Sequence, residues 1–189
     1  MQRSTALLVM SLVLTGCNGK PAMAGSEINE QQLATAEAFI DAFYSFDPQR
    51  LSALLDHAAS SKPGILYYQG WAEGGNYKVV NRKPCAPVGV DSIACPITVD
   101  DDLINALGIT WDVTDTFTLT FSGQHITSVE TSSNDPAEFY EAEAWIKKHQ
   151  PELIEVPCRV PITAGSTPSA CVKATVEGFK QFAVSKGSQ

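Results

Sequence analysis

Apolar and polar positions alternate almost strictly from Thr110 to Phe121. The odd positions are Trp111, Val113, Asp115, Phe117, Leu119 and Phe121, and the even positions are all Thr or Asp. A period of two over this length predicts a long β-strand with one buried and one wet face. Ser122–Gly123–Gln124 predicts a turn, because Gly supplies the backbone freedom a reversal requires. His125–Ser132 predicts the returning strand. The other elements must cover the apolar face of this hairpin, and on that face Asp115 stands out as an acid.

Elsewhere the period is helical. Leu33, Ala36, Phe39, Ile40 and Phe43 mark one face of a first helix. Asn29 is placed to cap it, with Gln32 for a capping box and Ile28 and Leu33 as a hydrophobic staple. Asp47 caps a second helix, with Pro48 at its first position, where no N–H is needed. Phe46 and Leu51 repeat the staple spacing; Leu51, Leu54 and Leu55 face inward, and Ser60–Gly64 ends the helix. Ile65–Gln69 reads as a short apolar strand or the entry to a helical turn, and Gly70–Asn76 as a glycine-rich aromatic loop. Tyr77–Asn81 and Ile93–Val99 read as strands, with Pro96 making the second an edge or bulged strand. Asp100–Asp102 precede a short helix that ends at Gly108. Asp135–Pro136–Ala137–Glu138 reads as cap, Pro start and capping-box acid. Phe139, Ala142, Trp145 and Ile146 are the buried stripe of that helix, which stops before Pro151. A loop from Cys158 to Thr167 leads to a last helix beginning at Pro168, with Val172, Val176, Phe179 and Ala183 on one face.

The N-terminus changes the picture. Arg3 is followed by the apolar run Ala6–Leu14, which is short for a bilayer span. Leu14–Thr15–Gly16–Cys17 then resembles the lipobox of bacterial lipoproteins, in which the Cys is acylated and becomes the mature N-terminus. The alternative is an ordinary secretory leader cut after Ala22 or Ala24. The expected division is a leader over 1–16, a flexible tether over 17–28, a domain over 29–151 and a C-terminal loop-and-helix extension over 152–189. The expected location is the bacterial cell envelope, with the membrane as partner through lipid on Cys17. The formal charge is −8. Loss of 1–16 removes one Arg and no acid, leaving 12 basic against 21 acidic residues, or −9. That balance argues against nucleic acid, which requires a basic patch. An exported chain can form disulfides. Besides Cys17 there are four cysteines, Cys85, Cys95, Cys158 and Cys171, which allow three pairings. Turn-forming residues lie between the first two and between the last two, so Cys85–Cys95 and Cys158–Cys171 are expected. No Cys-x-x-Cys pair or suitably spaced His supports a zinc site instead.

The junction Phe43–Tyr44–Ser45–Phe46–Asp47 before a leucine-bearing helix resembles the nuclear transport factor 2-like superfamily. So does the strand–turn–strand Thr116–Ile126. The resemblance runs from about Asn29 to Pro151. It implies an α+β cone, in which a strongly curved antiparallel sheet wraps the N-terminal helices around a pocket. Its members include ketosteroid isomerases, scytalone dehydratases, SnoaL-like polyketide cyclases and non-catalytic binding domains, so fold alone does not choose a function. The isomerase residues do not carry over. Phe39 stands where that enzyme has a hydrogen-bonding Tyr, Pro63 about where it has its general base, and Asp115 only near its sheet acid.

The candidate site is therefore read from the residues. Asp115, on an apolar face, must find partners or take up a proton, which is what a general acid or base in a pocket requires. The competing reading is a bulge between Asp112 and Asp115 that turns it to solvent, or a backbone N–H that satisfies it. Tyr67, Tyr68, Trp71 and Trp111 are candidates for the mouth of a pocket holding a flat apolar ligand, against plain packing. Glu130 is the most plausible second acid. Asp100–Asp102 match no calcium loop, and His57, His125 and His149 are poorly placed for catalysis. No cofactor or metal is implied. The reading favours a binding or assembly module, holding a small apolar ligand or an envelope protein. The alternative is a cofactor-independent isomerase, dehydratase or cyclase using Asp115.

Overall fold

The alternating segment forms the predicted strand, beginning at Val113. In the computed structural model, which describes residues 28–162, 165 and 167–187, β4 (Val113–Ser122) and β5 (His125–Ser133) form the hairpin, with Gly123 at φ 58° in the turn. The leader, Cys17 and the tether up to residue 27 lie outside the described residues. Three further strands, β1 (Lys78–Arg82), β2 (Ala86–Pro87) and β3 (Ser92–Asp100), complete an antiparallel sheet. Its order is β1–β3–β4–β5, with β2 also pairing β3, and it does not close. Ile93, Cys95, Ile97 and Val99 of β3 share the buried face with Val113, Asp115, Phe117, Leu119 and Phe121 of β4. Thr114, Thr116, Thr118 and Thr120 stand half-buried on the other face.

The helices pack on the buried face because their stripes match it. Helix α1 (Glu30–Phe43) is capped by Asn29 with the full capping box: Gln32 N donates to Asn29 Oδ1 at 3.0 Å and Asn29 N to Gln32 Oε1 at 2.9 Å. Its Phe39 and Phe43 meet Phe117 at ring-centroid distances of 5.6 and 4.7 Å. Helix α2 (Pro48–Leu54) starts at the Asp47 cap. Helices α3 (Lys62–Gly74), α4 (Asp102–Leu107), α5 (Ala137–His149) and α6 (Pro151–Glu155) follow, and α7 (Ser169–Gly187) closes the chain. Helix α7 shares the same core through Val172, Phe179 and Phe182. Phe179 meets Phe139 of α5 at 5.1 Å, and Gly178 lies so close to Ile146 that a Cβ there would stand 2.4 Å from its Cδ1. The class is thus α+β. Both expected disulfides form, Cys85–Cys95 and Cys158–Cys171, spanning 10 and 13 residues. Each contributes on the order of 3 kcal/mol by constraining the unfolded chain. No helix among the described residues is long and apolar enough to cross a membrane.

Several expectations are corrected. Ile65–Gln69 and most of Gly70–Asn76 are one helix, α3, and Ser60–Gly64 is its start rather than the end of α2, which stops at Leu54. Pro63 sits in its first turn, and Ile65, Gln69 and Ala72 recur at helical spacing on its buried side. Pro96 lies in an interior strand. Lys83 N donates to Pro96 O at 3.3 Å, so its ring nitrogen faces the same way, into the gap between β1 and β2, where no ladder donor is required. Asp135 is not a cap. Pro136, extended at φ −69° and ψ 160°, precedes α5 without a side-chain cap bond. Trp111 is outside the strand and 46% exposed.

Candidate functional site

The sheet register carries Asp115 inward. It pairs with Ile97 on β3 and Ser133 on β5, with no irregularity between β3 and β4 to turn it out. It is 1% exposed. Two tyrosines, one at the end of α1 and one in the middle of α3, reach it. Tyr44, directly after α1, donates its hydroxyl to Asp115 Oδ2 at 3.2 Å. The hydroxyls of Tyr68 on α3 and Ser133 on β5 lie near enough to favour the charged form of the carboxyl, the Ser133 hydroxyl itself donating to Asp135 Oδ1 at 3.0 Å. Phe117, two residues along the same strand face, lies against Tyr68 at 6.0 Å and Tyr44 at 6.3 Å. Helix α3 is held there by Gln69, whose buried Nε2 donates to the carbonyls of Ala42 and Phe43, both at 3.0 Å. Those carbonyls belong to the last turn of α1 and lack helical partners.

Burial pushes the Asp115 carboxyl up from 3.8 to about 6, against the hydrogen bonds from Tyr68 and Tyr44 and with a further push from Asp135. Burial, and then the charge on Asp115, hold the Tyr44 and Tyr68 hydroxyls well above their ordinary range. Asp101, the buried cap of α4, is also raised to about 6 by burial, although the backbone N–H groups of Ile104 and Leu103 oppose the rise. Asp135 is raised by burial and bonded by the hydroxyls of Ser133 and Tyr140. Tyr77 is raised by burial and then by Asp101. This part of the interior is thus a proton-rich cluster of three acids and three tyrosines. No Lys or Arg forms an ion pair with any of the three acids among the described residues. The Asp115 and Asp101 carboxyls take up protons as pH falls through about 6, and the Tyr44 hydroxyl donates a hydrogen bond. Beside the cluster lies a shallow cleft of about 210 Å³, walled by Tyr68, Ser133 and Asp135 together with Thr131 and Ser132.

The four candidate aromatics do not share one mouth. Tyr67 and Trp71, one helical turn apart on α3, line a groove of about 170 Å³ with Ile146, Ile154 and the Cys158–Cys171 bridge. Thr167 Oγ1 donates to Tyr67 O at 2.6 Å and ties the C-terminal segment to this groove. Tyr68 faces Asp115. Trp111 stands apart, its Nε1 donating to Asn134 O at 2.9 Å. Glu130 is exposed, opposite Thr118 and three residues along β5 from the partner of Asp115, so it is not the second acid. Among the described residues no group of three or more His, Cys, Asp or Glu side chains is placed to hold a metal ion. No family model, curated protein or solved structure matches the chain. The site therefore rests on its own geometry.

Tyr44 was missed by the sequence reading, although a signal exists. It falls four residues after Ile40 on the stripe that begins at Leu33. Tyr77 and Asp101 offered none, because only the folded chain brings them near Asp115.

Proposed function

We propose that this protein is an exported binding or assembly module, lipid-anchored at Cys17, whose cone-shaped nuclear transport factor 2-like body presents an apolar groove at Tyr67 and Trp71. One observation carries the preference for binding over catalysis. Asp115, the acid that an isomerase, dehydratase or cyclase would use here, is 1% exposed and already bonded by Tyr44. A substrate would have to displace that bond and enter a filled aromatic core. The groove at Tyr67 and Trp71 is open and offers two aromatic faces. At about 170 Å³ it is smaller than the roughly 300–1,000 Å³ of sites that enclose a whole drug-sized ligand. It suits a single acyl or aryl group, or one side chain of an envelope protein.

The test is native mass spectrometry of protein released gently from its host membrane. A molecule or partner should be retained by the wild type and by Asp115→Asn, and lost from Trp71→Ala. Loss from Asp115→Asn with retention by Trp71→Ala would move the site to the acid cluster. A second reading, proton-transfer catalysis, is favoured by the raised carboxyl of Asp115 beside the cleft at Tyr68, Ser133 and Asp135. It requires Tyr68 to swing aside, and turnover of a carbonyl substrate abolished by Asp115→Asn would establish it.

A further inference from the structure

We propose that His57 and His125 form a two-histidine site for a borderline divalent transition-metal ion such as Zn²⁺ or Ni²⁺, where the hairpin tip meets the corner between α2 and α3. Their imidazole centroids are 4.0 Å apart, with the rings inclined at 38°. His57 lies three residues beyond α2, and His125 is the first residue of β5. Both are exposed, and neither imidazole makes a hydrogen bond or ion pair among the described residues. The rings lie roughly face on face, and two neighbouring imidazoles whose nitrogens are not taken up by protein partners are the ligands this class of ion selects once the rings turn so that their in-plane lone pairs converge.

The two elements are held in place by contacts that do not involve the histidines. Val129 N donates to Ser61 Oγ at 3.0 Å, with Ser61 Oγ and Ser128 Oγ 3.4 Å apart. On the other side Gln32 Nε2 donates to Gly123 O at 2.8 Å. The hairpin tip is thus pinned to α1 and to the α2–α3 corner, which holds the two backbones that carry the histidines close together. The fit is close. Zn–N bonds of about 2.0–2.1 Å in tetrahedral geometry put the two nitrogens about 3.3 Å apart and the ring centroids about 5 Å apart. To reach that geometry the rings must both separate by about an ångström and turn edge-on to the ion, and both side chains are exposed and have room to turn. The nearby charges are Asp56 and Lys62, which pair with each other at 2.8 Å. The proposed protein ligands are the two imidazole nitrogens, with water to take the remaining positions of the ion. The four cysteines of the described residues are bridged, so none of them offers a competing thiolate. Oxygen-seeking Mg²⁺ has no reason to bind here.

Isothermal titration of the full, oxidised chain with Zn²⁺ and Ni²⁺, and with Mg²⁺ as control, tests the site. The wild type should bind one transition-metal ion and no Mg²⁺. His57→Ala and His125→Ala should each weaken binding at least tenfold, with circular dichroism unchanged because both positions are exposed. His57→Gln should fail in the same way. His149→Ala, whose ring lies against Trp145 at 5.3 Å, should bind as the wild type does. Unchanged affinity in His125→Ala, or equal weakening in His149→Ala, would overturn the proposal.

Discussion

At the scale of residues, Asp115 decides how this protein responds to pH. Folding raises its carboxyl from 3.8 to about 6, so the native state binds the proton more tightly than the unfolded chain does. The stability this proton provides is complete below about pH 4 and is lost as pH rises through about 6. A displacement of that size corresponds to on the order of 3 kcal/mol at pH 8. Asp101 acts in the same direction, so the comparison of wild type with one variant isolates the share of Asp115. Urea unfolding should show Asp115→Asn more stable than the wild type at pH 8, by up to about 3 kcal/mol, and level with it near pH 4. Asp115→Ala should be less stable at pH 5, by about 1–3 kcal/mol, because the Tyr44 hydroxyl then lacks its acceptor. The inward aim of Asp115 was legible in the alternation of its strand. Its partners were not, since Tyr44 lies 71 residues away in sequence and only tertiary packing brings the two together.

At the scale of elements, the signals that held are those in which one side chain satisfies a nearby backbone group. Asn29, Asp47 and Asp101 each accept from N–H groups two or three residues on, as their positions before apolar stripes imply. The signals that misled are those where composition overrode periodicity. Gly70 and Gly74 suggested a loop, yet both lie in α3, and at Gly74 a small residue is what the neighbouring helix requires. A Cβ on Gly74 would stand 2.9 Å from Val172 Cγ2. Trp111 continues the alternation in sequence, but the ladder between β3 and β4 ends at Val113, opposite Val99. Gly178 makes the packing rule testable. Alanine is the better helix former by about 1 kcal/mol, yet Gly178→Ala must push Ile146 aside. It should lower stability by about 1–3 kcal/mol in chemical denaturation. A gain in stability would show that α5 and α7 are packed more loosely than this.

At the scale of the whole molecule, the α+β class and both disulfide pairings were legible, because alternation, helical stripes and short Cys-bounded turns are local. The position of α7 was not, since its stripe specifies a buried face and not the surface it meets. The proposed anchor also belongs to this scale. Cys17→Ser should release the protein from membranes or block its processing, and a lipid-free mature protein beginning after Ala22 or Ala24 would contradict it. The central claim is that sheet and helices close on Asp115 and hold it, bonded and dry, as part of the framework. Carboxyl ¹³C NMR titration of the intact protein tests this most directly, with Asp115→Asn assigning the resonance. The account predicts a Cγ midpoint near 6 for Asp115; a midpoint at the ordinary Asp value near 3.9 would show an open, solvated side chain and contradict it.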